Sequence, residues 1–206
     1  MKSALIVAGG MEIHTPMESA NLFSYELGKN GFEVEIVDDL QIYSDSEKLR
    51  SLSLIIPDWT MGFMKNQNEK VFLGAVMEGL GVAGWHGGLG DGFRERSDFQ
   101  FMVGGQFVAH PHQGLWQVNV NNIPDPITEG IGDFWLETEQ YYMHVDPTNK
   151  VLATTSILGN EYPWVDGCVM PVIWKRTWGN GRVFYASYGH TYKDFDVPEA
   201  KEIMLR

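Results

Sequence analysis

The sequence predicts an α/β protein with a mostly parallel central sheet, helices on both faces and additional antiparallel strands in the second half. Two observations predict this fold class. In the first half, short apolar runs alternate with segments whose apolar residues have helical spacing, as in right-handed βαβ units. In the second half, apolar runs are separated by clusters of Pro, Gly, Asn and Asp, which is typical of strands joined by turns.

The first half contains four predicted strands and three predicted helices. The strands are 4–8, 33–37, 54–57 and 81–85, and the helices are 17–30, 45–52 and 65–80. The first helix places Ala20, Phe23 and Leu27 near one another and stops at Asn30-Gly31, a common C-terminal signal. Ser44 stands where it could cap the second helix.

The second half contains five predicted strands and one final helix. The strands are 116–120, 137–142, 151–156, 169–174 and 182–187. The helix predicted over 198–206 is short for packing on a sheet, so we expect a truncated C-terminus or one completed elsewhere. Because no repeat or linker interrupts the pattern, residues 1–206 are predicted to form a single domain.

Composition excludes several classes of protein. The chain has 206 residues, 44% of them hydrophobic, so it can build a core without disulfides. A single cysteine, Cys168, excludes an internal disulfide framework and any CxxC motif. The net charge of −12 argues against nucleic-acid and anionic-membrane partners. No apolar run is long enough to span a bilayer, and the N-terminal run fits a buried strand better than a signal peptide, so a cytoplasmic protein is predicted.

The most unusual segment follows the predicted strand 81–85 and contains five glycines in nine positions. His86 stands at the crest of this strand-to-helix turn, from which a side chain projects into the ligand site of an open parallel sheet. The neighbouring candidates for ligand binding are Trp85, Gly87, Gly88, Asp91 and Arg94. Two alternatives remain open: a tight turn in which His86 caps a helix, and a phosphate cradle, although the usual glycine spacing and lysine are absent.

Histidines concentrate near predicted strand ends, as they would in an active site. The six are His14, His86, His110, His112, His144 and His190. In an extended chain His110 and His112 would point the same way, so they could be two metal ligands. Glu137, Glu139 and Tyr141 would share one strand face, where a carboxylate could act as general acid or base. Two alternatives remain. Each histidine could be a structural hydrogen-bond donor, and the glutamates could lie on a strand face exposed to solvent.

No nucleophile of the usual kind is indicated. Cys168 does not stand at a strand-turn-helix elbow, and the sequence contains no GxSxG motif. Serine- and cysteine-nucleophile chemistry is therefore not predicted.

The sequence resembles the ThuA-like family, named for trehalose utilisation, over nearly its whole length. Four segments carry the resemblance: GWHGG at 84–88, FMVGGQFVAHP at 101–111, EQYYMHVDP at 139–147, and WKR at 174–176 continuing through GRVFY at 181–185 to Gly189-His190. The resemblance implies a class I glutamine amidotransferase-like, flavodoxin-like fold. His86 stands at the position of the amidotransferase cysteine, and Tyr192 replaces the glutamate expected two residues after His190, so amidotransferase activity should be absent.

The resemblance also implies sugar catabolism, especially of trehalose-type disaccharides or keto-sugars made by nicotinamide-dependent dehydrogenases. The expected catalytic residues are His86, His190 and Glu139. The expected substrate-binding residues are Trp85, Gly87, Gly88, Asp91, Arg94, Gln106, His110, Tyr141 and His144, with Trp85 and Tyr141 as a platform for the sugar ring. A keto group acidifies the neighbouring C–H, so a histidine or glutamate base could drive elimination or isomerisation without a thiol.

Two alternative functions remain open. One is a hydrolase or lyase in which His86, His110 and His190, with Glu139, hold a divalent zinc, manganese, iron or nickel ion. The other is a non-catalytic sugar-binding or regulatory protein. The generous aromatic and methionine content, with the short final helix, predicts a homo-oligomer.

Overall fold

The computed structural model describes residues 2–206, which contain one nine-stranded sheet with helices on both faces. The strands are β1 (Lys2–Gly9), β2 (Phe32–Val37), β3 (Leu54–Trp59), β4 (Gly81–Trp85), β5 (Gly105–Val120), β6 (Phe134–Val145), β7 (Lys150–Ser156), β8 (Val169–Trp178) and β9 (Gly181–Ala186). The helices are α1 (Pro16–Lys29), α2 (Ser46–Ser51), α3 (Asn66–Glu78), α4 (His86–Gly90), α5 (Ser97–Val103) and α6 (Pro198–Leu205).

Five strands form a parallel half in the order β2-β1-β3-β4-β9, which is the strand order of flavodoxin-like folds. The last strand of the chain therefore returns to lie beside β4, with Trp85 opposite Ala186. The carboxyl ends of β1, β3, β4 and β9 consequently meet at one edge of the sheet. Residues that follow these four strands are brought together there.

The other four strands extend the sheet with antiparallel pairings in the order β8-β7-β5-β6. The sheet is thus mixed, and its parallel part is only the β2-to-β9 half. Strands β5 and β6 form a long two-stranded ribbon that places Gln113 opposite Glu139. Two register shifts interrupt β5, between Phe107 and Ala109 and between Ala109 and His112.

Each face of the sheet is covered by its own apolar core. Helices α2, α3 and α5 cover one face, where Leu49, Phe72 and Phe99 are buried. Helices α1 and α6 cover the other, through residues such as Phe23 and Ile203. No helix within residues 2–206 is long and apolar enough to cross a membrane.

Most predicted elements form, but α4 and α5 were not predicted, and β6 and β8 extend beyond their predicted bounds. Three further differences concern the start of α2, strand β5 and the final helix. Asp45, not Ser44, caps α2, since its carboxylate accepts a hydrogen bond from the Lys48 backbone N–H. The strand predicted over 116–120 is only the last part of β5. The final helix packs on the sheet despite its eight residues, because Ala200 and Ile203 are buried.

Candidate functional site

The turn from β4 into α4 holds His86 in a left-handed conformation that L-residues rarely adopt, with φ of +42°. Glycines two residues away on each side allow this turn. A Cβ on Gly84 would lie 2.7 Å from the Leu89 side chain, and one on Gly88 would lie 2.8 Å from the Asp58 Cα atom. The segment is therefore a strained elbow built around a histidine, as the sequence predicted.

Contacts on both ring nitrogens hold the buried His86 side chain. Nδ1 donates to the Ser187 carbonyl at 3.2 Å, since a carbonyl can only accept. Nε2 of the neutral ring therefore carries a lone pair, and the Tyr141 hydroxyl donates to it at 2.8 Å. The Tyr141 ring also stacks on the imidazole, with ring centroids 4.0 Å apart.

Glu139 and His190 complete the centre of the site. Oε2 of Glu139 lies 3.3 Å from His86 Nε2 and 3.3 Å from His190 Nδ1. The two ring nitrogens are themselves 3.3 Å apart. Asp194 fixes the chain after β9, because its Oδ2 accepts the backbone N–H groups of Gly189 and His190 at 3.0 Å. A carboxylate and two imidazoles thus converge on one point.

His14 is a fourth member, which the sequence analysis did not assign to the site. It follows β1, and a 2.7 Å hydrogen bond joins its Nδ1 to the Thr60 hydroxyl. One ligand atom from each of His14, His86, Glu139 and His190 lies within 4.8 Å of the other three. The available signal was its position after Gly9-Gly10, because residues after parallel strands meet at one edge of the sheet.

The charges of the four side chains depend on burial and on each other. Burial, reinforced by neighbouring histidines, lowers the pKa of His14 to about 4. Burial also lowers the pKa of His86. Burial alone would raise the pKa of Glu139, but the neighbouring His190 and His86 outweigh this and lower it. The hydrogen bond to Glu139 raises the pKa of His190. Glu139 is therefore ionised, whereas His14 and His86 are neutral.

Polar side chains form a rim at the site, and two of them, His110 and Gln113, approach the outer oxygen of Glu139. His110 Nε2 lies 3.9 Å from Oε1, and Gln113 lies 3.5 Å from the same oxygen. Arg94 donates to both carboxylate oxygens of Asp91 and lies 5.5 Å from the Phe107 ring centroid. About half of the Arg94 side chain is exposed, so it can still meet a ligand.

Comparison with known proteins identifies the family. The family model described as ThuA, trehalose utilisation, matches residues 3–206. The chain belongs to the ThuA family. This membership supports a role in carbohydrate utilisation. A comparison with curated proteins gave no match.

Solved structures of similar fold align over 90% or more of this chain. A ThuA-like protein from Bacteroides uniformis is 20% identical, with a TM-score of 0.78 over 99% of this chain and 88% of that one. One from Parabacteroides merdae is 17% identical, with a TM-score of 0.74 over 90% and 78%. A β-galactosidase from Bacillus circulans sp. alkalophilus is 13% identical, with a TM-score of 0.59 over 98% of this chain and 31% of its own. At these identities the likeness shows the fold.

Several residues expected to contact sugar lie elsewhere in this ThuA-family chain. Trp85 is only 1% exposed and packs against Phe23 and Phe195, with ring centroids 4.6 and 5.4 Å away. Gly87 and Gly88 are buried against Thr60 and Asp58. The interpretation of Trp85 as a sugar platform is therefore wrong, and the two glycines serve the turn. Tyr141 is also buried, so it contacts His86 rather than a sugar face.

Gln106 and His144 do not join the cluster. They face each other across the β5–β6 ribbon. His144 is exposed, and it directly follows the buried Met143, so it points to the opposite side from Tyr141 and Glu139. Among the described residues neither side chain contacts the site, which corrects their expected role in binding.

The predicted pair of ligands His110 and His112 is separated by the irregularity in β5. The register shift between Ala109 and His112 breaks the strict alternation of the strand. His110 reaches the rim of the site, whereas the His112 ring contacts Asn160 at 2.9 Å and the Leu115 carbonyl at 3.3 Å. His14, not His110, therefore joins the group of possible metal ligands.

Proposed function

We propose that this protein transforms a trehalose-type disaccharide, in its keto form, by proton transfer at Glu139. One observation carries the proposal: Oε2 of Glu139 lies 3.3 Å from both His86 and His190, while Oε1 faces the rim beside His110. The Glu139 side chain is 15% exposed, so a ligand can reach it. Membership of the ThuA family supports a sugar as the ligand.

The chemistry requires a base beside an electrophile. Oε1 of Glu139 removes the proton on the carbon next to the keto group, and that C–H electron pair moves to form an enolate. A ring N–H of His190 stabilises the charge that develops on the carbonyl oxygen. For isomerisation, the hydroxyl on the α-carbon passes its proton to the enolate oxygen, and Glu139 returns its proton to the former carbonyl carbon, so that the C=O and the alcohol exchange places. For elimination, the enolate re-forms the C=O, a C=C forms between the α- and β-carbons, and the bond from the β-carbon to the glycosidic oxygen breaks, with that oxygen taking the proton from Glu139.

The residues at the elbow argue against amidotransferase chemistry. His86 occupies the position where a thiol or hydroxyl nucleophile would stand, and its Nε2 already accepts from Tyr141. A histidine in this setting supports the carboxylate rather than forming an acyl intermediate. We therefore propose no amidotransferase activity.

Sugar recognition would fall to the rim. Arg94 pairs with Asp91 through Nε and Nη2, which leaves Nη1 for a sugar hydroxyl. The half-buried Phe107 ring lies 4.5 Å from the Tyr141 ring and offers an apolar surface in place of the predicted Trp85 platform. A nicotinamide-dependent dehydrogenase acting as a partner would supply the keto-sugar.

Product formation by the purified protein tests this proposal. Keto-trehalose and trehalose are incubated separately with wild type, Glu139→Gln and His144→Ala, and products are followed by mass spectrometry. We expect turnover of keto-trehalose, a loss of about 100-fold or more in Glu139→Gln, and no change in His144→Ala. Saturable sugar binding without any product would overturn the enzyme proposal in favour of a sugar-binding protein.

A further inference from the structure

We propose that His14, His86, His190 and Glu139 form a binding site for one divalent transition-metal ion. The existence of the site is argued from distances alone. Only the role of the ion in catalysis rests on the proposed function. His86 Nε2, His190 Nδ1 and Glu139 Oε2 form a triangle whose three edges are each 3.3 Å. One ligand atom of His14 lies within 4.8 Å of all three.

The size of the triangle matches the coordination sphere of a small ion. Zinc binds imidazole nitrogen and carboxylate oxygen at about 2.0–2.2 Å, and a tetrahedral arrangement then places the donors about 3.3–3.6 Å apart. An ion seated just above the triangle would lie within bonding distance of all three donors, and it would take the His86 Nε2 lone pair in place of the Tyr141 hydroxyl. His14 would approach by a small rotation to supply the fourth donor.

The hydrogen bonds of His86 leave its Nε2 available to bind an ion. Nδ1 of His86 donates to Ser187, so Nε2 carries a lone pair. Three polar atoms surround Nε2, namely the Tyr141 hydroxyl, His190 Nδ1 and Glu139 Oε2. Its one lone pair can accept a hydrogen bond from only one of them. Nε2 and Glu139 Oε2 lie 3.3 Å apart, so one cation could be bound by both atoms at once.

The outer contacts orient the ligands as they do in metal sites. A metal-bound histidine commonly uses its second ring nitrogen to hydrogen-bond a carbonyl or another polar group, which fixes the tautomer. His86 does this with Ser187, and His14 does it with Thr60. Asp194 holds the backbone of His190 through two N–H groups. Each of the three histidines is therefore positioned by a contact outside the cluster.

The donor set selects the kind of ion. Three imidazoles and one carboxylate suit zinc, manganese, iron or nickel rather than calcium, which prefers oxygen ligands alone. The single carboxylate leaves a net positive charge on the bound ion. Glu139 and His190 are partly exposed, so the ion would have a face open to the carbonyl and hydroxyl oxygens of a keto-sugar.

A bound ion would also divide the two oxygens of Glu139 between two roles. Oε2 would hold the ion, whereas Oε1, 3.9 Å from His110, would stay free to take the proton. The ion would polarise the carbonyl in place of the His190 N–H. His110 is therefore assigned to the rim, outside the coordination sphere.

Metal content, measured independently of turnover, tests this site. The full chain, purified without a His-tag or chelator, is analysed by elemental mass spectrometry. Chelator-treated protein is then titrated with zinc, manganese, iron and nickel. We expect about one ion per chain, and saturable binding that weakens at least tenfold in Glu139→Gln and His14→Ala. His144→Ala, which alters an exposed histidine outside the site, should bind like wild type.

The outcomes separate this site from the proposed function. Circular dichroism confirms that each variant is folded, and cobalt substitution supplies a second readout through the visible absorption of a nitrogen-ligated ion. Substoichiometric metal with no saturable binding overturns the site, even if keto-trehalose is turned over. Equal binding by wild type and both ligand variants overturns it as well. Metal bound at the site without turnover supports the site and contradicts only the proposed function.

Discussion

At the scale of single residues, the glycines beside His86 determine the elbow. A Cβ on Gly88 would lie 2.8 Å from the Asp58 Cα atom, so backbone would have to move. We expect Gly88→Ala to lower the free energy of unfolding by about 1–3 kcal/mol. Gly74→Ala is the matched control, because its Cβ meets nothing within 4 Å inside α3, and it should stabilise by about 0.5–1 kcal/mol. Urea denaturation of both variants measures this, and equal stabilities would contradict it.

Trp85 supplies a second prediction, because its burial separates packing from sugar binding. The side chain fills space between Phe23 and Phe195. Trp85→Phe should therefore lower the free energy of unfolding by about 1–3 kcal/mol and leave the KM for keto-trehalose unchanged. Thermal denaturation and steady-state kinetics measure the two effects. A large rise in KM with unchanged stability would restore the platform interpretation.

The sequence pointed to His86 and His190 because each stands at a strand end, and to Glu139 because it shares a predicted strand face with Tyr141, where a carboxylate could act as acid or base. It missed His14 because the 3-10 turn over Glu12–His14 carries no periodic pattern. It misjudged Trp85 because an aromatic residue beside a glycine-rich turn looks the same whether it faces ligand or core. Only the packing of α1 against β4 decides between them.

At the scale of elements, the ribbon β5–β6 illustrates why local irregularity escapes prediction. A strand with strict alternation would have pointed His110 and His112 to one face. The register shift between Ala109 and His112 separates them, and the sequence shows no clear signal for it. The alternation of Glu139 and Tyr141 on β6 was predictable, because no register shift falls there.

Asp125 links the loop after β5 to two other strands, and it gives a pH prediction. Lys150 of β7 and Lys175 of β8 contact its buried carboxylate at 2.7 and 2.6 Å. Burial raises its pKa, but hydrogen bonds from both lysines and from the Ile127 N–H outweigh this and lower the pKa to about 2. Because the pKa of Asp125 is lower in the folded than in the unfolded protein, its carboxylate stabilises the fold at any pH above the ordinary pKa of Asp. This stabilisation is lost as pH falls from about 4 to about 2.

The variant Asp125→Asn should therefore be less stable than wild type at neutral pH by about 1–2 kcal/mol, since the half-exposed lysines are partly screened. The difference should vanish near pH 2. Glu35→Gln, which breaks an exposed pair with Lys48, is the control and should cost less than about 1 kcal/mol. Urea denaturation across the pH range measures both. A difference for Asp125→Asn that persists at pH 2 would show another cause.

At the scale of the whole molecule, the parallel half was predictable because alternating strands and helices leave few topologies. The pairing of β9 with β4 was not, since sequence periodicity does not show which strands become neighbours. The β5 strand was underestimated because residues 105–113 contain Gly, Pro and two histidines rather than an alternating pattern. Helix α5 was not predicted, because it is short and lies directly before residues 105–113.

Self-association remains a prediction, and the edge of the sheet supports it. β6 is an edge strand of 12 residues, and the exposed Trp135 lies diagonally across the ribbon from the exposed Leu115. Long apolar edges of this kind favour pairing with another chain. Light scattering should give a mass above the 23.3 kDa of one chain, reduced to that value by Trp135→Lys. A wild-type mass of 23.3 kDa would contradict it.

The central claim is that Glu139 moves a proton beside a sugar carbonyl, and hydrogen exchange tests it most directly. Keto-trehalose is incubated with catalytic amounts of protein in D₂O, and proton NMR follows the signal of the C–H next to the keto group. We predict that this signal disappears faster with wild type than without protein, and that Glu139→Gln returns it to the uncatalysed rate. Exchange at the wild-type rate in Glu139→Gln, or no acceleration by wild type, would contradict the claim.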